Sequence, residues 1–422
     1  MTERFFPHAI VLSAVFAMGA LSASAADMII ERPDGPVTTN EIGSFKAFMQ
    51  IQPDEGDNNH NHWVYGNGGK NIEALGLVYE ISRDREVLNQ MIRFADAALA
   101  ARNNPTNGRM IWTGKRELAW PNKPADSPDA ASASSESGDV IGHIGYCAKL
   151  ILQTPALWPD KVAIGDTNGF GANYHERALT YVREMDRSID TFILPNFVST
   201  TDSNHYRWPD TDKFGALGPR NQTGRGKPVP WNQHTMLSCG LLRLAECHEI
   251  LGDDPARVKR FYDIVGANMD WFVGDLHPYE RDGHTVYDWG YSLGRKSEDV
   301  PHGGYDIWGL CRAFESGKFN IPANTMTNFA NTLRYVIYDS TNNTFAMRVD
   351  GRSPGTKAAR NSIPASWTLL SQYFPNDDLY HLVVKSNLKP AKTAPLDDAF
   401  LLYLKHRRHL PSVATVKDIS PK

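Results

Sequence analysis

The stretch from Ser297 to Leu310 reads SEDVPHGGYDIWGL, placing Glu298, Asp299, His302 and Tyr305 close together. Just before it, DWGYSLGRK carries Tyr291 and Arg295, and WNQH supplies Trp231, Asn232 and His234. These residue types suit proton abstraction beside a carboxylate. The C5 proton of a uronic acid is weakly acidic, and its removal pushes charge onto the adjacent carboxyl group. Asn232, His234, Arg295 or a protonated Glu298 would neutralise that charge. A tyrosine would take the proton as phenolate and return it to the departing C4 oxygen. Hydrolysis instead needs two carboxylic acids facing each other across the bond. Asp288, Glu298, Asp299 and Asp306 are candidates, so that chemistry stays open.

The elements that must position these groups read as helices. Ile307, Leu310, Cys311 and Phe314 recur at helical spacing, and Pro301 with Gly303-Gly304 marks the turn into them. His302 and Tyr305 therefore belong at or just inside a helix N-terminus, where unpaired N–H groups and the helix dipole favour anions. Paired amphipathic stripes recur along the chain. Asn71–Ile81 precedes Glu86–Ala101, Val140–Leu152 precedes Tyr174–Phe192, and Asn232–Leu251 precedes Pro255–Phe272. In the last pair GDDP splits the helices, with Gly252 suited to the C′ position, Asp254 to the N-cap and Pro255 to the first turn. Tyr305–Phe314 with Ala323–Tyr338, and Ala365–Tyr373 with Asp397–His406, complete the series.

Hairpins of unequal period with long polar loops predict an all-α fold, an (α/α) toroid rather than a regular solenoid. Short β-hairpins are expected at Gly108–Pro121 and Asp282–Asp288, and a mobile lid at Ser127–Gly138. Four first helices are approached by polar segments: DNNHNHWVYGNGGKN, SGDVIGH, PVPWNQH and SEDVPHGGY. In a ring of hairpins these approaches converge on one mouth.

The chain opens with a charged start, an apolar run from Ala9 to Leu21 and Ala23-Ser24-Ala25, the pattern of a secretory signal peptide cleaved after Ala25. Residues 26–422 are then one catalytic domain, exported to a periplasm or beyond and free of any membrane anchor. With 44 basic and 48 acidic residues, the net charge of −4 argues against nucleic acid as partner. Cys147, Cys239, Cys247 and Cys311 lack metal-site spacing, leaving either a bridge or buried thiols. The cationic loop carrying Lys213, Arg220, Arg225 and Lys227 leads into Trp231, and suits an anionic sugar polymer. Asn58, Asn59, His60, Trp63 and Tyr65 suit a sugar subsite. His60 and His62 form an H-x-H pair, but no third ligand spacing accompanies it, so no metal and no cofactor are expected.

The hairpin ring, the WNQH helix start and EDVPHGGYDI resemble exported (α/α)-toroid polysaccharide lyases, with polysaccharide lyase family 38 the nearest in pattern. That resemblance implies metal-independent syn β-elimination of β-1,4-linked polymannuronate or glucuronan. It implies Tyr as acid and base, with His, Arg, Asn or Glu neutralising the carboxylate. Carried onto this sequence, it points first to Tyr305, then to Tyr291, with Tyr287 retained. The triplet Asn58-Asn59-His60 is similar to an alginate-lyase signature, although it precedes the first clear helix. A glycoside hydrolase on the same ring, using Glu298 or Asp299, and a non-catalytic exported glycan binder are the competing readings.

Overall fold

The computed structural model describes residues 28–54, 68–121, 131–354, 359–388 and 394–410. The proposed signal peptide and Asn58, Asn59, His60, His62, Trp63 and Tyr65 lie outside them. The first helix, α1 (Thr39–Gln50), starts in a capping box between Thr38 and Glu41. Three hairpins follow: α2 (Gly69–Ser82) with α3 (Arg85–Ala100), α4 (Ser137–Leu152) with α5 (Tyr174–Ser188), and α6 (Trp231–Leu251) with α7 (Pro255–Gly274). The chain continues through α8 (Val300–Ser316), α9 (Ala323–Thr332), a 3₁₀ segment at Ala365–Tyr373, α10 (Asp378–Asn387) and α11 (Pro395–His409).

Helices α2, α4, α6 and α8, the 3₁₀ segment and α11 pack in succession, and α11 returns to α2. This closes an inner ring, with the second helices of the hairpins outside it. The fold is an all-α (α/α) toroid. The inner elements run parallel: on α2 and α4, Glu73 meets His143 and Gly76 lies against Tyr146. On α4 and α6, Gly138 meets Leu237 and Gly145 meets Leu244. Their N-termini therefore share one rim, as the polar approaches predicted.

Small residues set this packing. A Cβ on Gly138 would lie 2.7 Å from Leu237 Cα, and one on Gly142 would overlap Cys239 Sγ and sit 2.9 Å from its carbonyl carbon. Only glycine lets α6 approach α4 that closely. The ends of the chain are tied by a buried ion pair, Lys405 on α11 to Glu41 on α1 at 2.5 Å. Glu41 also accepts the backbone N–H groups of Glu31 and Thr38, so its charge is well satisfied.

Several expectations need correction. Residues 108–121 form turns, without strands. The second hairpin exists, pairing β1 (His277–Arg281) with β2 (His284–Asp288). Of the expected lid, residues 131–138 are described. Ala131, Ala133, Ser135 and Ser137 are buried there and the chain turns directly into α4, so this part is packed wall. Ala365–Tyr373 winds as 3₁₀ rather than α, and α1 and α10 were not anticipated. All four cysteines are buried free thiols. Among the described residues no helix is long and apolar enough to cross a membrane.

The glycine contacts give a paired test by chemical denaturation. Gly142→Val should lower unfolding free energy by about 3 kcal/mol, because backbone must move to admit it. Gly43→Ala, in mid-helix with nothing within 4 Å of the new carbon, should raise it by roughly 0.5–1 kcal/mol through helix propensity.

Candidate active site

At the N-terminal rim, α2 and α8 face each other across the lumen, with Lys70 and Tyr305 lining one cleft. Asp299 is the N-cap of α8. Its carboxylate accepts the His302 backbone N–H at 2.9 Å and pairs with His302 Nδ1 at 2.7 Å. That hydrogen bond raises the imidazole above its ordinary range, while it holds Asp299 low against the opposing effect of burial. The pair thus favours an imidazolium beside a carboxylate, and it is half-open to solvent.

Glu298 is different. It is 2% exposed. Its Oε1 accepts the Asp299 backbone N–H at 2.6 Å, whereas Oε2 is buried with no partner among the described residues. Burial, aided by the Asp299 charge, pushes its carboxyl up to about 7. The backbone holds it there. Ser297 lies in the left-handed region at φ 63°, and its N–H donates to Asp288 at 2.9 Å. Arg348 donates to the Ser297 carbonyl, and the Glu298 N–H donates to the Trp289 carbonyl at 2.7 Å. A strained residue over-determined by its neighbours often marks a functional position. Asp306, fully buried, accepts from Trp289 Nε1 at 2.9 Å. Burial raises it well above the usual carboxylate range and so favours its protonated form.

Tyr291 is 41% exposed. Its ring meets His302 edge-on at 5.1 Å, and burial followed by the fields of Glu298 and Glu136 raises its hydroxyl. Tyr305 stands one helical turn beyond His302. Burial raises its hydroxyl also, but Lys70 at the start of α2 acts the other way and favours the phenolate, while Asp139 opposes. Lys70 and Tyr305 line a cleft of about 130 Å³ together with Gly304, Ser366, Asp397 and Phe400.

Behind the cleft runs a buried chain of charge. Asp139 lies 3.2 Å from His143 Nε2, an ion pair whose angle misses that of a hydrogen bond. His143 Nδ1 meets Glu73 at 3.0 Å. Glu73 in turn pairs with Arg243 at 3.3 Å and Arg312 at 3.2 Å. Burial disfavours the charge on Glu73, His143, Arg243 and Arg312, yet their partners win. His143 is raised to about 9, and Glu73 is held well below the carboxylate range.

The rim therefore gathers Glu298, Asp299, His302, Tyr305 and Tyr291, but not the others expected there. His234 starts on the same rim, yet its ring is buried against Tyr206, Trp231 and Trp271. Burial lowers it to about 3, so it is neutral and cannot serve as a cation. Asn232 is 5% exposed and Trp231 fully buried, so neither offers a surface to a sugar ring. Both serve the α6 start, where the Trp231 N–H donates to the Tyr291 carbonyl at 3.0 Å. Arg295 points to solvent. Tyr287 is buried under β2 with its hydroxyl accepting from Asn328 at 3.1 Å. In the cationic loop, Arg225 is already paired with Asp210 and Asp212, acids that precede the acid-free stretch. Arg220 and Lys227 are exposed. Lys70, Glu136, Asp139 and His143 escaped the sequence reading, although the approach segments GGKN and SGDVIGH contain three of them. Glu298, Asp299 and His302 bring three potential ligand atoms within 4.8 Å of one another. His302 Nδ1 is committed to Asp299, and the α8 N-terminus disfavours a cation there.

No family model matches the chain, and no curated protein matches it either. Two solved structures align over most of its length. One is a glycoside hydrolase family 76 mannosidase from Bacteroides thetaiotaomicron VPI-5482, at 11% identity and a TM-score of 0.37, covering 79% of this chain and 68% of that one. The other is a glycosyl hydrolase family 88 protein from Bacteroides vulgatus, at 9% identity and a TM-score of 0.36, covering 88% of this chain and 99% of that one. Similarity at this level carries no argument about chemistry.

The Glu298 carboxyl links stability to pH. Its folded value is raised to about 7 from an ordinary 4.5, so its favourable contribution is complete below pH 4.5 and is lost as pH rises through 7. Glu298→Gln stays neutral throughout. Its unfolding free energy relative to the parent protein should therefore climb by up to about 3 kcal/mol between pH 4.5 and pH 8. A pH-independent difference in denaturant titrations would show that Glu298 ionises normally.

Proposed function

We propose that the protein is a glycan-cleaving enzyme, a polysaccharide lyase acting on β-1,4-linked polyuronate by syn β-elimination at the N-terminal rim. The observation that carries this reading is Glu298, a rim carboxyl group that burial raises to about 7 and whose Oε2 is enclosed without a partner among the described residues. A neutral acid donates a hydrogen bond to a substrate carboxylate where an ionised one would repel it. Burial favours the protonated form of Asp306 as well, Lys70 brings positive charge, and Asp299 favours the imidazolium of His302. Burial thus makes an acid-rich mouth hospitable to an anion.

In this mechanism Glu298 and His302 bind the uronate carboxylate and stabilise the charge that develops on it. Tyr305, whose phenolate Lys70 favours against the larger opposing effect of burial, removes the C5 proton. The electron pair left on C5 forms the C4–C5 double bond and expels the C4 oxygen. The Tyr305 hydroxyl hands the same proton to that oxygen, which restores the phenolate. Tyr291, beside Glu298 and His302, is the alternative for this step. One tyrosine suffices because mannuronate and glucuronate place the C5 hydrogen and C4 oxygen on the same side. Guluronate has the opposite C5 configuration and is expected to be a poor substrate. The resemblance to polysaccharide lyase family 38 agrees with this reading, and export after removal of residues 1–25 would place the enzyme where such polymers are met. Acidic glycan is the partner, and no metal or cofactor takes part.

One observation favours hydrolysis as a second reading. Burial raises Glu298, while its neighbour Asp299 is held low by His302. Two carboxyl groups whose surroundings push them apart form the usual acid and base of a glycosidase.

A single set of assays separates the two. Incubated with polymannuronate and glucuronan, the parent protein should generate ultraviolet-absorbing unsaturated ends without added metal. Tyr305→Phe should lose at least about a thousandfold in kcat with little change in KM, the scale of removing a general acid–base group. Activity in the parent should fall above about pH 7 as Glu298 ionises, and Glu298→Gln, a permanent donor, should flatten that limb while keeping turnover. New reducing ends without ultraviolet absorbance, abolished in Glu298→Gln, would establish hydrolysis instead. Loss in Tyr291→Phe with retention in Tyr305→Phe would reassign the tyrosine.

A further inference from the structure

On the outer wall, toward the C-terminal ends of α3 and α5, a cleft of about 360 Å³ opens between the two helices. Three arginines converge there on one carboxylate. Glu184 pairs with Arg102 at 2.5 Å, Arg187 at 2.9 Å and Arg183 at 3.2 Å. One negative charge cannot balance three positive ones. Arg102 is packed into the wall, 9% exposed, and also donates to Ser188 Oγ at 2.9 Å. Arg183 and Arg187 are 62% and 52% exposed. Arg187 reaches Glu184 through Nη1 alone, leaving its other side-chain N–H groups without a partner among the described residues. The opposite lip carries Phe170 and the exposed Asn168.

We infer that this cleft is an accessory binding site for a carboxylated sugar. The uncompensated charge on Arg183 and Arg187 takes the uronate carboxylate, and guanidinium groups match its two oxygens. Phe170 gives the sugar ring an apolar face to rest on, and Asn168 an amide for its hydroxyl groups. Glu184 sets the specificity by holding the arginine cluster in place, and it excludes a second anion by its own charge. The choice of sugar rests on the acidic-glycan reading above. The site itself depends on the charge excess alone.

The test uses methyl β-glucuronide, which has no linked sugar at C4 and so cannot undergo the proposed elimination. Arginine Nε–Hε resonances of the whole protein are followed by NMR and assigned from Arg183→Ser and Arg187→Ser. Titration should shift the Arg183 and Arg187 signals saturably, while methyl β-glucoside, lacking the carboxylate, should leave them in place. Affinity should drop about fivefold or more in the Arg183→Ser/Arg187→Ser variant, the effect of removing two partly exposed charges. Phe170→Ala should weaken the glucuronide but not inorganic sulfate. Both arginine variants are on the surface and should retain the parent's turnover of soluble polyuronate. Unshifted arginine signals overturn the site. Equal affinity for sulfate and glucuronide, indifferent to Phe170→Ala, overturns the sugar assignment. If the arginines respond while the protein cleaves no polyuronate, the accessory site stands and the catalytic reading falls.

Discussion

Glu73 is the carboxylate on which the inner ring converges. It projects from α2 and is met by His143 from α4, Arg243 from α6 and Arg312 from α8. Removing such charges from water costs several kcal/mol per ion, and their mutual attraction in the interior only partly offsets it. What the network supplies is register. Sliding any one helix by a turn would strand a buried charge without its partner. The glycines of α4 fix how near α6 comes, and Glu73 fixes the height at which four helices meet. Arg243 and Arg312 also lie over Tyr146 and Trp308, at 3.7 Å and 4.9 Å from the ring centres, so aromatic faces share in neutralising them.

The same chain of charge reaches the mouth through His143 and Asp139. A histidine between two carboxylates remains cationic well past neutrality, and Asp139 beside it has a fixed partner. Glu298 and Asp306 lie in the opposite circumstance: neither hydrogen-bonds a cation, and burial raises both, at Glu298 against the weaker pull of His302 and Arg348. One rim thus contains carboxyl groups in both states because their partners differ, not their chemistry. Differences of this kind separate the roles of acid, base and electrostatic stabiliser in an active site.

Much of this was legible in the sequence. The stripe Ile307, Leu310, Cys311 and Phe314 located α8, and GDDP located the break between α6 and α7, because helix periodicity and capping act locally. The convergence of polar approaches at one rim followed from the ring topology. The failures came from side-chain direction. WNQH has the composition of a binding loop, yet Trp231 and His234 turn into an aromatic core with Trp271, a residue forty positions away whose contact no local pattern reveals. SGDVIGH was visible as an approach, but Asp139 and His143 gain meaning only through Glu73, on a different hairpin. The cationic loop looked unpaired because Asp210 and Asp212 precede the stretch that lacks acids. Ser- and Ala-rich residues 131–137 resemble a flexible lid in composition, whereas their small side chains let them pack against the wall.

The two ends of the lumen explain why one rim suits the proposed substrate. Trp308 and Phe400 meet edge-to-face at 5.6 Å across the axis and divide the interior. Beyond them a chamber of about 230 Å³ lies toward the C-terminal ends of the inner helices, where Glu73, Glu80, Glu246 and Glu315 face Lys149, Arg243, Arg312 and Arg407. Charges there are matched, and the carbonyl ends of parallel helices present their negative poles. An anion gains nothing by entering. At the other rim the positive poles of those helices add together, the nearest acids are neutral or paired, and Lys70 stands beside a tyrosine hydroxyl. Parallel inner helices cannot offer equal ends to an acidic chain, so the direction of the ring selects the mouth before any single side chain does.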